Sequence, residues 1–200
     1  MLSPITLAGI HVRLEPLSRQ HLPGLLEIGL DPSLWALTVS KVRSAQDLER
    51  YVTRALEEQA SGTALPFATV WGATGRVIGS TRFGNIALEH RRLEIGWTWL
   101  TPAFQRTPAN TEAKLLMLSH AFDTLGMRRV EFKTSALNQR SRAALLRIGA
   151  VEEGTLRQHT MNEDGTIRDT VYFSILSTEW PEVRGQLQGR LAEDGKTGRR

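Results

Sequence analysis

Few side chains in this 200-residue chain combine a reactive type with a suggestive spacing, and Glu94 is the first of them. It is the single carboxylate in LEIGWTWL (93–100), a stretch whose alternation predicts a buried strand. That alternation assigns Leu93, Ile95, Trp97 and Trp99 to one face and Glu94, Gly96, Thr98 and Leu100 to the other. An inward carboxylate with a glycine beside it, leaving room for a substrate, is a candidate general base. A polar loop follows from Thr101 to Asn110, and then an amphipathic helix with Leu115, Leu118, Phe122 and Leu125 on one side and Gly126 as its stop. The N-terminus of that helix faces the loop with unpaired N–H groups and a partial positive charge, which suits an anion. Base and anion-binding turn together suggest an enzyme that holds a phosphate-bearing cofactor.

The other reactive types are sparse. There is no cysteine, which excludes disulfides, thiol nucleophiles and zinc–thiolate sites. His120 and His159 have neither a partner four residues on nor a nearby carboxylate cluster, so both read as packed or solvent-facing and no metal is expected. Trp35 reads as a core plug that could also border an acceptor. The net charge of +4 is spread over scattered arginines, whereas a nucleic-acid surface would show a denser basic stripe, so nucleic acid is not the expected partner. No apolar run reaches the length of a membrane span, and MLSPITLAGI lacks the basic start and apolar core of a signal peptide. The cytoplasm is the expected location.

The surrounding elements follow from periodicity and punctuation. Gly9–Leu14 alternates as a first strand, and Ser18 caps a short helix with Leu22, Leu25 and Leu26 on its apolar side. An irregular stretch, Ser33–Arg43, leads to a capping box at Ser44 and Asp47 and a helix that ends near Gly62. Strands are expected at Leu65–Trp71, Arg76–Gly84 and Arg129–Thr134. Asn138 caps a helix that runs to Ile148, and Val151–His159 with Asp169–Leu176 form a hairpin turning at Asp164–Gly165. After Trp180–Pro181 a helical pattern fades into AEDGKTGRR. The expectation is one domain over 1–192, a disordered tail over 193–200, and an α/β fold with helices on both faces of a mixed sheet.

This order resembles the GNAT superfamily of acetyl-CoA-dependent N-acetyltransferases, in particular the branch of the RimJ and RimL protein N-terminal acetyltransferases. The residues that carry the likeness are EIGW (94–97), NTEAKLL (110–116), RVEFKT (129–134), NQRSRAALLRIGAVEEG (138–154) and EWPEV (179–183). The resemblance implies a central twisted mixed sheet and transfer of acetyl from acetyl-CoA to a primary amine, either a protein N-terminus or a small molecule. It implies that Glu94 acts as base and that backbone groups at Trp99 and Leu100 hold the pantetheine arm. The family's pyrophosphate loop, Q/R-x-x-G-x-G/A, falls on Gln105–Asn110, so that Gln105, Arg106, Thr107, Asn110 and Thr111 become the cofactor-binding candidates. Pro108 and Asn110 replace its glycines, and proline removes one backbone donor. Asn138 and Ser141 match the next strand–helix junction that touches the cofactor. Leu145 stands where many members carry a proton-donating tyrosine, which leaves Ser141 or solvent for that role. The same resemblance allows a homodimer. A non-catalytic acyl-CoA-binding or sensing protein on this fold, and a ribosome- or RNA-associated module, are the competing readings.

Overall fold

The structure, a computed structural model, describes residues 2–197. Eight strands form one sheet in the order β1-β2-β3-β4-β5-β6-β8-β7. They are β1 (Leu7–Ala8), β2 (Val12–Pro16), β3 (Leu65–Trp71), β4 (Val77–Ala87), β5 (Arg92–Leu100), β6 (Arg129–Ser135), β7 (Val151–Met161) and β8 (Ile167–Leu176). Helices α1 (Leu22–Gly29) and α2 (Ala45–Ala60) precede β3, while α3 (Pro108–Ser119) joins β5 to β6 and α4 (Gln139–Arg147) joins β6 to β7. Helix α5 (Trp180–Thr197) closes the chain. It continues into the stretch expected to be disordered, where Glu193 is a good helix former; residues 198–200 lie outside the described residues.

All neighbouring strands pair antiparallel except β5 and β6, the pair joined through α3. A parallel pair needs such a crossover. Here the ladder is brief: Arg92, Leu93 and Glu94 face Arg129, Val130 and Glu131, and the pairing then stops. Beyond Glu94 the two strands part, and the β6-facing edge of the rest of β5 has no strand partner.

The other edge of β5 carries a β-bulge. Ser80 pairs with Trp99 and Arg82 with Gly96, so two steps along β4 are matched by three along β5, and Trp97 takes up the difference at φ +50°. An extra residue transfers every later side chain to the opposite face. The strict alternation expected over 93–100 is therefore corrected. Leu93, Ile95 and Leu100 pack with α3, whereas Trp99 packs with α2 and Trp35, on the face that also carries Glu94. Trp97 follows Trp99, lying over Arg82, and Thr98 turns to α3.

Two cores sandwich the sheet. Leu25, Leu48, Val52, Ala55 and Ala68 lie on the α1/α2 side, and Phe67, Phe83, Met117, Phe132 and Phe173 on the α3 side. The inner stripe of α3 is Ala109, Ala113 and Met117, running on to Ala121; of the residues expected there Leu118 and Phe122 are buried, whereas Leu115 and Leu125 are only half-buried. Alanines let the helix approach the sheet closely. Its last turn widens to a π-helix at His120–Thr124 before Gly126 ends it at φ +62°. Glu112 fastens α3 to the β1–β2 turn, its carboxylate accepting from the N–H groups of Ile10, His11 and Val12 at 2.9, 2.7 and 2.6 Å.

Candidate active site

Where β5 and β6 part, one cleft is lined from both faces of the sheet. Trp35, Tyr51, Arg82 and Trp97 border it on the α1/α2 side, and Asn110, Lys114, Ser141 and Leu145 on the α3/α4 side. Glu94 stands at the closed end, only 5% exposed. Its carboxylate accepts from Asn85 Nδ2 at 2.6 Å and lies 2.8 Å from Lys133 Nζ. Asn85 reaches it from a second irregularity in β4, at φ +47°, a left-handed conformation that asparagine adopts more readily than most residues. Lys133 sits two residues past the last β5–β6 pair and also lies over the Tyr172 ring at 5.0 Å. Burial works against its charge, and the Glu94 carboxylate overcomes this, so the Lys133 pKa lies above the ordinary lysine value. Arg168, half-buried nearby, is displaced downward by burial, with Glu94 and Tyr172 pulling the other way.

The α1/α2 side is aromatic and roofed. The Arg82 guanidinium lies 4.9 Å from the Trp97 ring centre and 5.1 Å from that of Tyr51, and donates to Glu58 at 2.7 Å. Overhead, the tip of the β7–β8 hairpin meets the irregular stretch after α1. Glu163 N–H donates to the Val39 carbonyl at 3.0 Å, the Lys41 N–H donates to the Glu163 carboxylate at 2.8 Å, and Lys41 Nζ lies 3.5 Å from Asp164. Ser33–Arg43 and the final hairpin, two segments far apart in sequence, thus form one rim. His159 belongs to that rim beside Tyr172, at 3.4 Å, whereas His120 is core, packed on Phe83, and burial lowers its pKa. The Trp35 indole donates to the Gly29 carbonyl and plugs the core as well as lining the cleft.

On the α3/α4 side, Thr107 is the helix N-cap, accepting from Ala109 N–H at 3.3 Å, and Pro108 takes the first helical position, where the helix needs no donor. Asn110 lies one turn before Lys114 on the same face. Arg106, at φ +60°, is exposed at the mouth. Gln105 bridges: its amide donates to the Leu100 carbonyl and accepts from Arg140 of α4. Asn138 caps α4 through the Ser141 N–H at 3.0 Å. Of the residues singled out in the sequence, Glu94, Trp99, Leu100, Gln105, Arg106, Thr107, Asn110, Asn138 and Ser141 all line this cleft. Thr111 does not: it is buried, and its N–H is the first that the helix's own i→i−4 pattern satisfies. Arg142 is paired with Glu152.

Sequence reasoning missed Lys114, Lys133, Asn85 and Arg168. Lys114 had a visible signal, a charge beside Ala113 of the inner stripe of α3, with the equally buried Glu112 on the other side of that alanine. It is 5% exposed, donates to Thr98 Oγ1 at 2.9 Å, and burial lowers its pKa to about 7. A cleft with an unpaired strand edge, a capped helix N-terminus, Arg106 at its mouth and a buried ammonium in its wall fits a long ligand that carries phosphate and amide groups. Among the described residues no His, Cys, Asp or Glu group is arranged to hold a metal ion, and no helix is long and apolar enough to cross a membrane.

Comparison with known proteins agrees with this geometry. An acetyltransferase from T. thermophilus, provisionally so named, is 37% identical, with a TM-score of 0.87 over 96% of this chain and 99% of that one. Mycobacterium smegmatis RimJ in complex with CoA-disulfide has the same fold at 23% identity, with a TM-score of 0.76 over 94% and 92% of the two chains. The Bacillus subtilis protein YdaF, provisionally named a ribosomal N-acetyltransferase, is 33% identical over 106 residues, which span 53% of this chain and 57% of that relative. The curated relatives are thus matched over less than two thirds of their length. Residues 11–151 match the acetyltransferase (GNAT) domain. That match spans well over half of the sequence, and the chain belongs to the GNAT acetyltransferase family.

Proposed function

We propose that the protein transfers the acetyl group of acetyl-CoA to a primary amine, with a protein N-terminus as the leading acceptor class. The observation that carries this reading is the cleft lined from both faces of the sheet, because two substrates can enter from opposite sides and meet where β5 and β6 part. The CoA-disulfide complex of RimJ supports the cofactor, and the name given to YdaF supports the acceptor. Acetyl-CoA supplies the activated thioester. Trp99 and Leu100 contribute backbone groups to the cofactor path, with Asn110, Thr107 and Arg106 at its phosphate end and Asn138 and Ser141 across from them.

An α-amine, with a pKa of about 7.7–8.0, loses its proton at neutral pH far more easily than a lysine at about 10.4. Glu94 then needs only to receive one proton, directly or through a water, and Lys133 and Asn85 hold its carboxylate in place. The test is release of free thiol when the protein meets acetyl-CoA and a panel of peptides and small amines. Failure of every amine to raise release above background would overturn the reading. Tight acetyl-CoA binding without transfer would instead support a cofactor-sensing protein, a reading favoured by the engagement of Glu94 with Lys133.

A further inference from the structure

The feature that the proposed reaction leaves unused is Lys114. It projects from the second turn of α3 into the wall of the cleft, on the face opposite Glu94, with Thr98 Oγ1 as its one hydrogen-bond partner among the described residues. Among the described residues no carboxylate offsets its charge. From β5 it meets Thr98, and behind Thr98 stands Thr81 of β4 at 2.7 Å. The charged residues that share its side of the cleft are cations, Arg106 from the loop and Arg140 and Arg147 from α4, while Glu94 and Lys133 face the other side. Arginine holds its proton too tightly to give it up at neutral pH. On the side from which the thioester enters, and to which its sulfur returns, Lys114 is therefore the cleft group that gives up a proton most readily, since the hydroxyls of Thr98 and Ser141 hold theirs far more tightly.

We propose that Lys114 is the catalytic acid that protonates the departing sulfur of CoA. The proposal rests on the acetyl-transfer reading above. The acceptor nitrogen bonds to the carbonyl carbon, and the carbon–sulfur bond breaks with its electron pair going to sulfur. One N–H proton of Lys114 passes to sulfur, leaving the free thiol and a neutral Lys114 amine. The proton lost by the acceptor passes to Glu94 and on to solvent, and solvent reprotonates Lys114. Burial supplies the poise: an amine titrating near about 7 is charged often enough to act and gives its proton readily.

The test has an arm that needs no turnover. The thiol of CoA bound to the wild-type protein is titrated by its thiolate absorbance and compared with that bound to Lys114→Met and Lys114→Arg. A fixed charge beside the sulfur should depress the bound thiol by about one unit or more, so Lys114→Arg should titrate lower than Lys114→Met, and the wild type, which gives up its lysine proton near about 7, should fall between them. In turnover, both variants should lose about 100-fold in kcat, together with the fall in kcat on the alkaline side, while the CoA dissociation constant changes little. An identical thiol titration in Lys114→Arg and Lys114→Met overturns the proposal, whether or not any amine is acetylated. So does an unchanged kcat in the variants. A depression seen in Lys114→Arg, together with a wild-type protein that acetylates no amine, refutes the acetyl-transfer reading and leaves the placement of residue 114 at the sulfur supported.

Discussion

Replacing Lys114 with methionine should make the protein more stable at neutral pH, and by an amount that depends on pH. An unfolded chain keeps the lysine proton up to about 10.4, whereas burial makes the folded protein give it up near about 7. Between those values the unfolded state binds more protons, so wild-type stability rises with pH across that window and is lowest below it. At 1.36 kcal/mol per unit, the cost at pH 7 is on the order of 4 kcal/mol, a large part of the 5–15 kcal/mol of a typical domain. Methionine has nearly the same length, carries no charge and leaves Thr98 Oγ1 bonded to Thr81, so no polar group is orphaned. Urea unfolding of both proteins at several values from about pH 6.5 to 9.5, which covers most of the window set by the two pKa values, gives the comparison. The advantage of methionine should shrink steadily as pH rises. A pH-independent difference, or a methionine variant less stable at pH 7, would refute this account of the site. A charge kept at such cost in a cleft wall is the pattern expected where stability is exchanged for activity.

Three further outcomes follow from contacts described above. Glu112→Ala should lose about 3–5 kcal/mol in urea unfolding, because three backbone N–H groups of the β1–β2 turn lose a charged acceptor; Glu112→Gln should lose less. Glu94→Gln should reduce kcat by about 100-fold with little change in acetyl-CoA affinity by isothermal titration, and an unchanged rate would remove Glu94 from the reaction. Glu163→Ala, which breaks the link from the hairpin tip to Lys41, should raise the acceptor KM several-fold while leaving kcat and CoA binding close to wild type, measured by thiol release against acceptor concentration.

Local punctuation reads well from the sequence because it depends on residues within a turn of one another. Ser44 does cap α2, accepting from Asp47 N–H, and Asn138 does cap α4. The strands fall close to their expected spans for the same reason. The bulge at Trp97 is different: nothing in EIGWTWL marks it, since it exists only through pairing with β4, and it reverses the faces of Trp97 through Leu100. The partners of Glu94 are equally silent in the sequence. Asn85, Lys133 and Arg168 come from three other strands, and only the order of strands in the sheet brings them together. The inner charge of α3 is visible as an anomaly, but its meaning needs Thr98 opposite it.

The hairpin tip and the loop after α1 are joined by hydrogen bonds across the top of the acceptor side. On the proposed reading that bridge spans the acceptor's side of the cleft, so a chain end passes beneath it more readily than a segment whose backbone continues in both directions. Selection between a terminal amine and an amine in the middle of a folded polypeptide can thus be made by connectivity, before any side chain of the acceptor is read.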